Sequence, residues 1–163
     1  MSLFIPGFNA SDFVKFSSCS ASGEIDQTQN LSQHPCQSAI DSIVCDNDNA
    51  LICLGNCGVT FELQNPETFD KIIIQNGVGS QVNKIKAFRL KVKLENEKTL
   101  QGLTAITVKD DSKVEQMTDG YTALSQAQEY LEITFAPVKK ASKIQIEVRD
   151  RSAKINEILI PRK

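Results

Sequence analysis

From Val59 to Ile160 the chain is a succession of short runs in which apolar residues recur at every second position. The strictest is "KIQIEVR", where Ile144, Ile146 and Val148 alternate with Lys143, Gln145, Glu147 and Arg149. Side chains of an extended strand point to opposite faces in turn, so this pattern describes a strand with one face in a core and one in water. "VTFEL" repeats it with Val59, Phe61 and Leu63 on one side, and "KIKAFRLKVKL" with Phe88, Leu90, Val92 and Leu94. In the latter the phase slips between Ile85 and Phe88, which predicts a bulge at Ala87. "KIIIQ" is an unbroken β-branched run, as expected of a strand covered on both sides. "LTAITV", "YLEITF" and "INEILI" complete the set, and "TALSQAQEY" is read as one short helix. Short strands separated by polar turns predict an all-β chain, an antiparallel β-sandwich or jelly roll of about eight strands.

The first third reads differently. "DFVKFSSCSA" places Phe13 and Phe16 at the start of a first strand that Ser-rich sequence interrupts, and residues 17–49 have the Ser, Gln, Asn and Asp content of loops and turns. Residues 1–57 carry a balance of −5 and the remainder +3. All five cysteines lie in this part: Cys19, Cys36, Cys45, Cys53 and Cys57. An odd number with no secretory leader reads as free thiols rather than a disulfide framework. Zinc is disfavoured, because the spacing holds no C-x2-C pair and His34 is the one histidine of the chain. The N-terminus lacks a basic segment followed by a sustained apolar one, which reads as an intracellular, cytoplasmic protein without membrane insertion. At 163 residues the length suits one domain, taken as 12–160, behind an apolar arm, 1–11.

Catalysis finds little support in these residues. His34 and Cys36 sit two apart in "SQHPCQ", no nucleophile-elbow or phosphate-loop motif occurs, and Asp110-Asp111 reads as a turn. We therefore expect no enzyme. Two surfaces are candidates for binding a partner. The basic stripe Lys84, Lys86, Arg89, Lys91 and Lys93 suits an acidic partner, although without interleaved aromatic residues nucleic acid is disfavoured. In the arm, Leu3, Phe4, Ile5 and Phe8 are too apolar for a free tail and either pack back on the sandwich or dock on another subunit.

The order of parts resembles the galactose-binding-like β-sandwich of discoidin or factor V/VIII type C domains. The match is carried by Ala39 and Asp41, then Val59, Phe61 and Leu63, then Pro66, Phe69, Ile72 and Ile74, and finally Ile155, Glu157 and Ile158. Ser42 stands where the family has Gly after the loop Asp, and the Trp that usually follows is missing. The resemblance implies a structural Ca²⁺ held by Asp41, Asp46 or Asp48 with Glu157, oxygen ligation of the kind this ion takes. It is nearest to the small free-standing intracellular members, of the 25-kDa intraflagellar-transport subunit type. That likeness implies a non-enzymatic protein-interaction subunit or scaffold of an intracellular, even ciliary, complex. The second reading is a carbohydrate-binding module or lectin; the third is a scaffold for an anionic or nucleic-acid-associated partner.

Overall fold

A computed structural model describes residues 12–25, 51–76, 84–149 and 153–162. Among these residues nine strands form one hydrogen-bonded network: β1 (Phe16–Ile25), β2 (Leu51–Asn76), β3 (Ala87–Leu94), β4 (Gln101–Gly102), β5 (Thr107–Val108), β6 (Glu115–Gln116), β7 (Thr122–Ala123), β8 (Tyr130–Val148) and β9 (Ala153–Leu159). The order β1-β2-β8-β3-β7-β6 makes the main path, with β4 on β3, β5 on β8 and β9 on β2.

Two strands are far longer than the separate short ones expected. β2 runs for 26 residues and β8 for 19, and they remain antiparallel partners along most of that length. Cys57 to Glu62 pair with Val148 to Lys143, and Lys71 to Gln75 pair with Thr134 to Tyr130. Between these stretches the register shifts repeatedly, with only Glu67–Ala141 and Phe69–Val138 in step. This is the corner at which both strands pass from one layer of the sandwich to the other, as bulged strands do. Lys140 takes a φ of 53° there. Its N–H donates to Thr68 Oγ1 at 3.3 Å, and its carbonyl accepts the Glu95 N–H at 2.8 Å.

The apolar faces close as the period of two requires. Val59, Phe61, Ile144, Ile146, Phe88 and Leu90 are fully buried from one layer, and Ile72, Ile74, Leu131 and Ile133 from the other. Phe69 and Phe135 meet edge to face at the corner, 6.0 Å between centroids. Ala87 and Phe88 are buried in succession, which is the predicted slip of phase, but they pair in step with Ala123 and Thr122, so the register records no bulge at Ala87. "KIIIQ" departs from its reading: Ile72 and Ile74 are buried but Ile73 is half-exposed, so one side of that run is only partly covered.

Three further expectations are corrected. The Ser-rich segment after Phe16 is strand rather than loop: β1 pairs with β2 through Cys19–Phe61, Ser20–Thr60 and Ala21–Val59. Serines are tolerated because β1 is the end strand of the main path and one face is polar. Residues 122–130 form no helix; Thr122 and Ala123 pair with β3, and Tyr130 already belongs to β8. Lastly, Cys53 and Cys57 are disulfide-bonded rather than free, and Cys19 is likewise disulfide-bonded. The Cα atoms of Cys53 and Cys57 lie 5.9 Å apart. Four residues of extended strand would separate them by roughly 13 Å, so β2 must coil here. The register records that coil: Gly23 faces Cys57 but Ile25 already faces Cys53. Gly23, at φ 94°, lies against the coil, and a Cβ there would come within 2.9 Å of Cys57 Cα.

Candidate functional site

β3 carries the basic stripe, and the structure divides it. Arg89, Lys91 and Lys93 share the outer face of the sheet, alternating with buried Leu90 and Val92. Lys86 lies before the slip and is exposed, while Lys84 is 8% exposed. Two of the three cations on the outer face share one carboxylate across the ladder. Arg89 grips the Glu147 carboxylate with two bonds, Nε to Oε1 at 2.9 Å and Nη2 to Oε2 at 3.0 Å, and donates from Nη1 to the Asp119 carbonyl at 2.9 Å. Lys91 Nζ reaches Glu147 Oε1 at 3.2 Å. Lys93 stands opposite Lys143, whose amine pairs with Glu62 at 3.2 Å.

Arg149 is ion-paired with Asp119, and the Arg89 and Arg149 guanidinium carbons lie 4.8 and 4.4 Å from the centre of the Tyr121 ring. The Arg89 hydrogen bond is the chief reason the Glu147 carboxyl sits below its ordinary range, and burial raises the Tyr121 phenol. This cluster fastens the β6–β7 hairpin onto the β3–β8 ladder. Its cations already have carboxylate partners, so it is a weaker candidate for an anionic partner than its composition suggests.

A second arrangement lies at the start of β3. Leu124 N–H donates to the Lys86 carbonyl at 2.8 Å, extending the pairing of Ala87 with Ala123 by one step. The chain after Leu124 is held by the turn at Asp110-Asp111. Asp111, 4% exposed, accepts the Ser125 N–H at 2.8 Å, the Lys113 N–H at 3.2 Å and the Ser125 hydroxyl. The Gln126 side-chain amide donates to the Asp110 carbonyl, and that of Gln128 to the Lys109 carbonyl at 3.1 Å.

Between this fixed connection and the chain entering β3 is a cavity of about 270 Å³, lined by Lys84, Ile85, Lys86, Leu124, Ser125, Gln126 and Ala127. Its volume is near the lower end of small-molecule pockets, roughly 300–1,000 Å³. Its lining joins buried Ile85 and the apolar Leu124 and Ala127 to the polar residues Lys84, Lys86, Ser125 and Gln126. The arrangement can hold a polar ligand over an apolar patch. It is poorly made for proton abstraction, because the Ser125 bonds hold the Asp111 carboxyl below its ordinary 3.8 and so make it a weaker base.

The remaining predicted residues are placed as follows. Glu157 is in β9 opposite Gln75, 1% exposed, with Oε1 accepting the Ile158 N–H at 3.3 Å. Asp41, Asp46 and Asp48, as well as Leu3, Phe4, Ile5, Phe8, His34 and Cys36, lie outside the described residues. Among the described residues no group of three metal-binding side chains forms. The reading of the sequence missed residues 124–127 as a cavity wall. Ser125 is fourteen residues from Asp111, and no spacing rule connects them.

No family model matches the sequence, and no curated protein matches it. Solved structures do match. A pectin-binding carbohydrate-binding module is 20% identical, with a TM-score of 0.63 over 90% of this chain and 91% of that one. An F5/8 type C domain from Bacteroides fragilis is 13% identical, TM-score 0.65, over 93% and 97%. The CBM32 of AlyQ, in complex with 4,5-unsaturated mannuronic acid, is 16% identical, TM-score 0.59, over 91% and 96%. These likenesses show the fold, a galactose-binding-like β-sandwich, that the resemblance implied. They lend nothing to the narrower likeness to an intraflagellar-transport subunit.

Proposed function

We propose that the chain is a non-enzymatic carbohydrate-binding domain and that the cavity beside the start of β3 receives the sugar. The observation that carries this is the cavity itself, where buried Ile85 lies among the polar residues Lys84, Lys86, Ser125 and Gln126, in a sandwich like those of modules that bind pectin or hold a mannuronic acid. A sugar ring presents both an apolar face and hydroxyls, which such a lining matches. The test is a binding screen of the full chain against a panel of plant, algal and animal glycans, with Gln126→Ala as the cavity variant. Retention on at least one glycan, weakened at least threefold in Q126A, is the expected result. Retention on none would refute the reading.

The reading as a subunit of an intracellular complex has less to rest on. Its apolar arm is outside the described residues, and within its basic stripe Arg89 and Lys91 are engaged by Glu147. Localisation is open to a simple check. A disulfide such as Cys53–Cys57 persists best in an oxidising compartment, against the cytoplasmic expectation drawn from the N-terminus. Thiol labelling of fractionated cells would decide between them. A structural Ca²⁺ held through Glu157 belongs to the same proposal, as the resemblance to discoidin-type domains implies. Raised thermal stability with added Ca²⁺, reversed by chelation and lost in Glu157→Gln, is the expected result.

A further inference from the structure

We propose that the open edge of β1 pairs with the same edge of a second copy of this chain, joining two sandwiches through one continuous antiparallel sheet. The proposal stands apart from the carbohydrate reading, since it involves neither the cavity nor its lining. It begins with the backbone. Strand residues other than Pro carry an N–H and a C=O, and at a sheet edge a row of these groups has no neighbouring strand to bond. Natural edges are blunted by short length, by Lys or Pro, by bulges, or by a covering segment.

β1 is one end of the main path and, among the described residues, pairs with β2 alone. The other end of that path is a strand of 2 residues, Glu115–Gln116, too short to template another strand. β1 runs for 10 residues, and from Phe16 to Gly23 it contains no charged residue and no Pro. Its register shifts fall at Phe16/Ser18 and Gly23/Ile25, which leaves Ser18 to Gly23 as regular strand. Ser20, Ala21, Ser22 and Gly23 are all exposed. That holds for the residues opposite buried Val59 and Cys57 as well as for those opposite Thr60 and Gly58, as an edge open to water requires.

The sequence of this edge favours its own copy as the occupant. Two-fold antiparallel pairing sets each residue opposite one equally far from the axis on the second copy, so a charged strand would meet its own charges. Ser18 to Gly23 carries none, and a net charge of −2 on the chain imposes little repulsion between copies. Ser18, Ser20 and Ser22 alternate along the regular stretch, opposite Glu62, Thr60 and Gly58 of β2. An axis through Ser20 therefore places Ser20 opposite itself and Ser18 opposite Ser22 of the second copy. Short side chains let the edges approach, and hydroxyls facing across strands stabilise the pair. Antiparallel pairing also sets the end that follows Lys15 beside the end at Glu24, where parallel pairing would set like beside like. An unrelated extended peptide would meet the same backbone without gaining from this symmetry.

The experiment is sedimentation velocity of the full chain, without reductant, from about 1 μM to about 1 mM. A reversible monomer–dimer equilibrium within this range is expected, because a seam this short is smaller than a standard interface. Ser20→Lys, at an exposed position, sets like charges on the axis and should weaken association by about tenfold or more, and Ser20→Glu should do the same. An equimolar mixture of the two variants should restore it, since Lys then faces Glu. Circular dichroism melts check that both variants fold. Amide hydrogen exchange supplies a reading that needs no variant: protection of residues 18–23 should rise with protein concentration. A monomer throughout the range would overturn the inference. So would a dimer that S20K leaves intact, or one whose protection rises elsewhere and not at 18–23. None of these results bears on the glycan screen, which tests the carbohydrate reading separately.

Discussion

Asp111 shows how one residue can organise a site it does not itself line. Its carboxylate gathers the Ser125 amide and hydroxyl and the Lys113 amide, and thereby fixes the wall formed by residues 124–127. The sequence reading of Asp110-Asp111 as a turn holds, with Asp110 at φ 63° and Val108 bridged to Asp111. What these bonds do to stability follows from the direction of the shift. The folded-state pKa of Asp111 is lowered from 3.8. Its contribution is thus fully present above the unfolded value and is lost as pH falls through the lower folded value. Glu147, lowered from 4.5 by Arg89, acts in the same direction. Thermal stability should therefore be flat near neutrality and decline below about pH 4. Asp111→Asn should reduce both the neutral-pH stability and the steepness of that decline, measured by circular dichroism melts across pH. An unchanged profile in D111N would show that other carboxylates set the acid limit.

At the scale of elements, the corner in β2 and β8 decides the architecture. Period-two spacing made both halves of each strand visible, yet nothing local indicated that the halves were continuous across "QNPETF" and "APVKKAS". Pro66 and Pro137 lie within these links, and edge positions and bulges tolerate Pro without ending a strand. Lys140 supplies the bend with a left-handed backbone, which costs a residue with a Cβ about 1–2 kcal/mol relative to glycine. Lys140→Gly should leave stability unchanged or raise it by up to about 1 kcal/mol, because glycine's greater unfolded-state entropy offsets part of the relief. Lys140→Val should lower it by about 1–2 kcal/mol, since a β-branched residue fits that conformation worst. Urea midpoints read both, and similar midpoints for Gly and Val would mean that the corner relaxes. The coil at Cys53–Cys57 is a second case of geometry beyond local pattern. Cysteine count and spacing argued for thiols, whereas the coiled backbone of β2 brings those two Cα atoms within bonding range.

For the whole molecule, the central test is whether the two apolar faces form one cooperative core. Phe61 has no exposed surface and packs against Phe16, 5.5 Å between ring centroids. Phe61→Ala should cost about 3–5 kcal/mol, a large part of the total stability of a domain this size. Lys143→Ala, on the outer face of the same β2–β8 ladder, should change it by no more than about 0.5 kcal/mol. A modest loss in F61A, comparable to that in K143A, would contradict a shared core. The sequence by itself determined the strand faces, from Val59-Phe61-Leu63 to Ile144-Ile146-Val148, because alternation is a property of each strand and needs no partner. It also determined the slip of phase at Ala87 and the turn at Asp110-Asp111, both local in origin. Only the tertiary structure decided which carboxylate engages which cation, since Arg89 meets Glu147 from 58 residues away. It likewise brought Lys84 and Lys86 up to Ser125 and Gln126 around one cavity. The physical reason is common to both: a side chain's charge and hydrogen-bonding capacity are written in its type, but whether they face a ligand or another part of the chain depends on contacts between residues far apart in sequence.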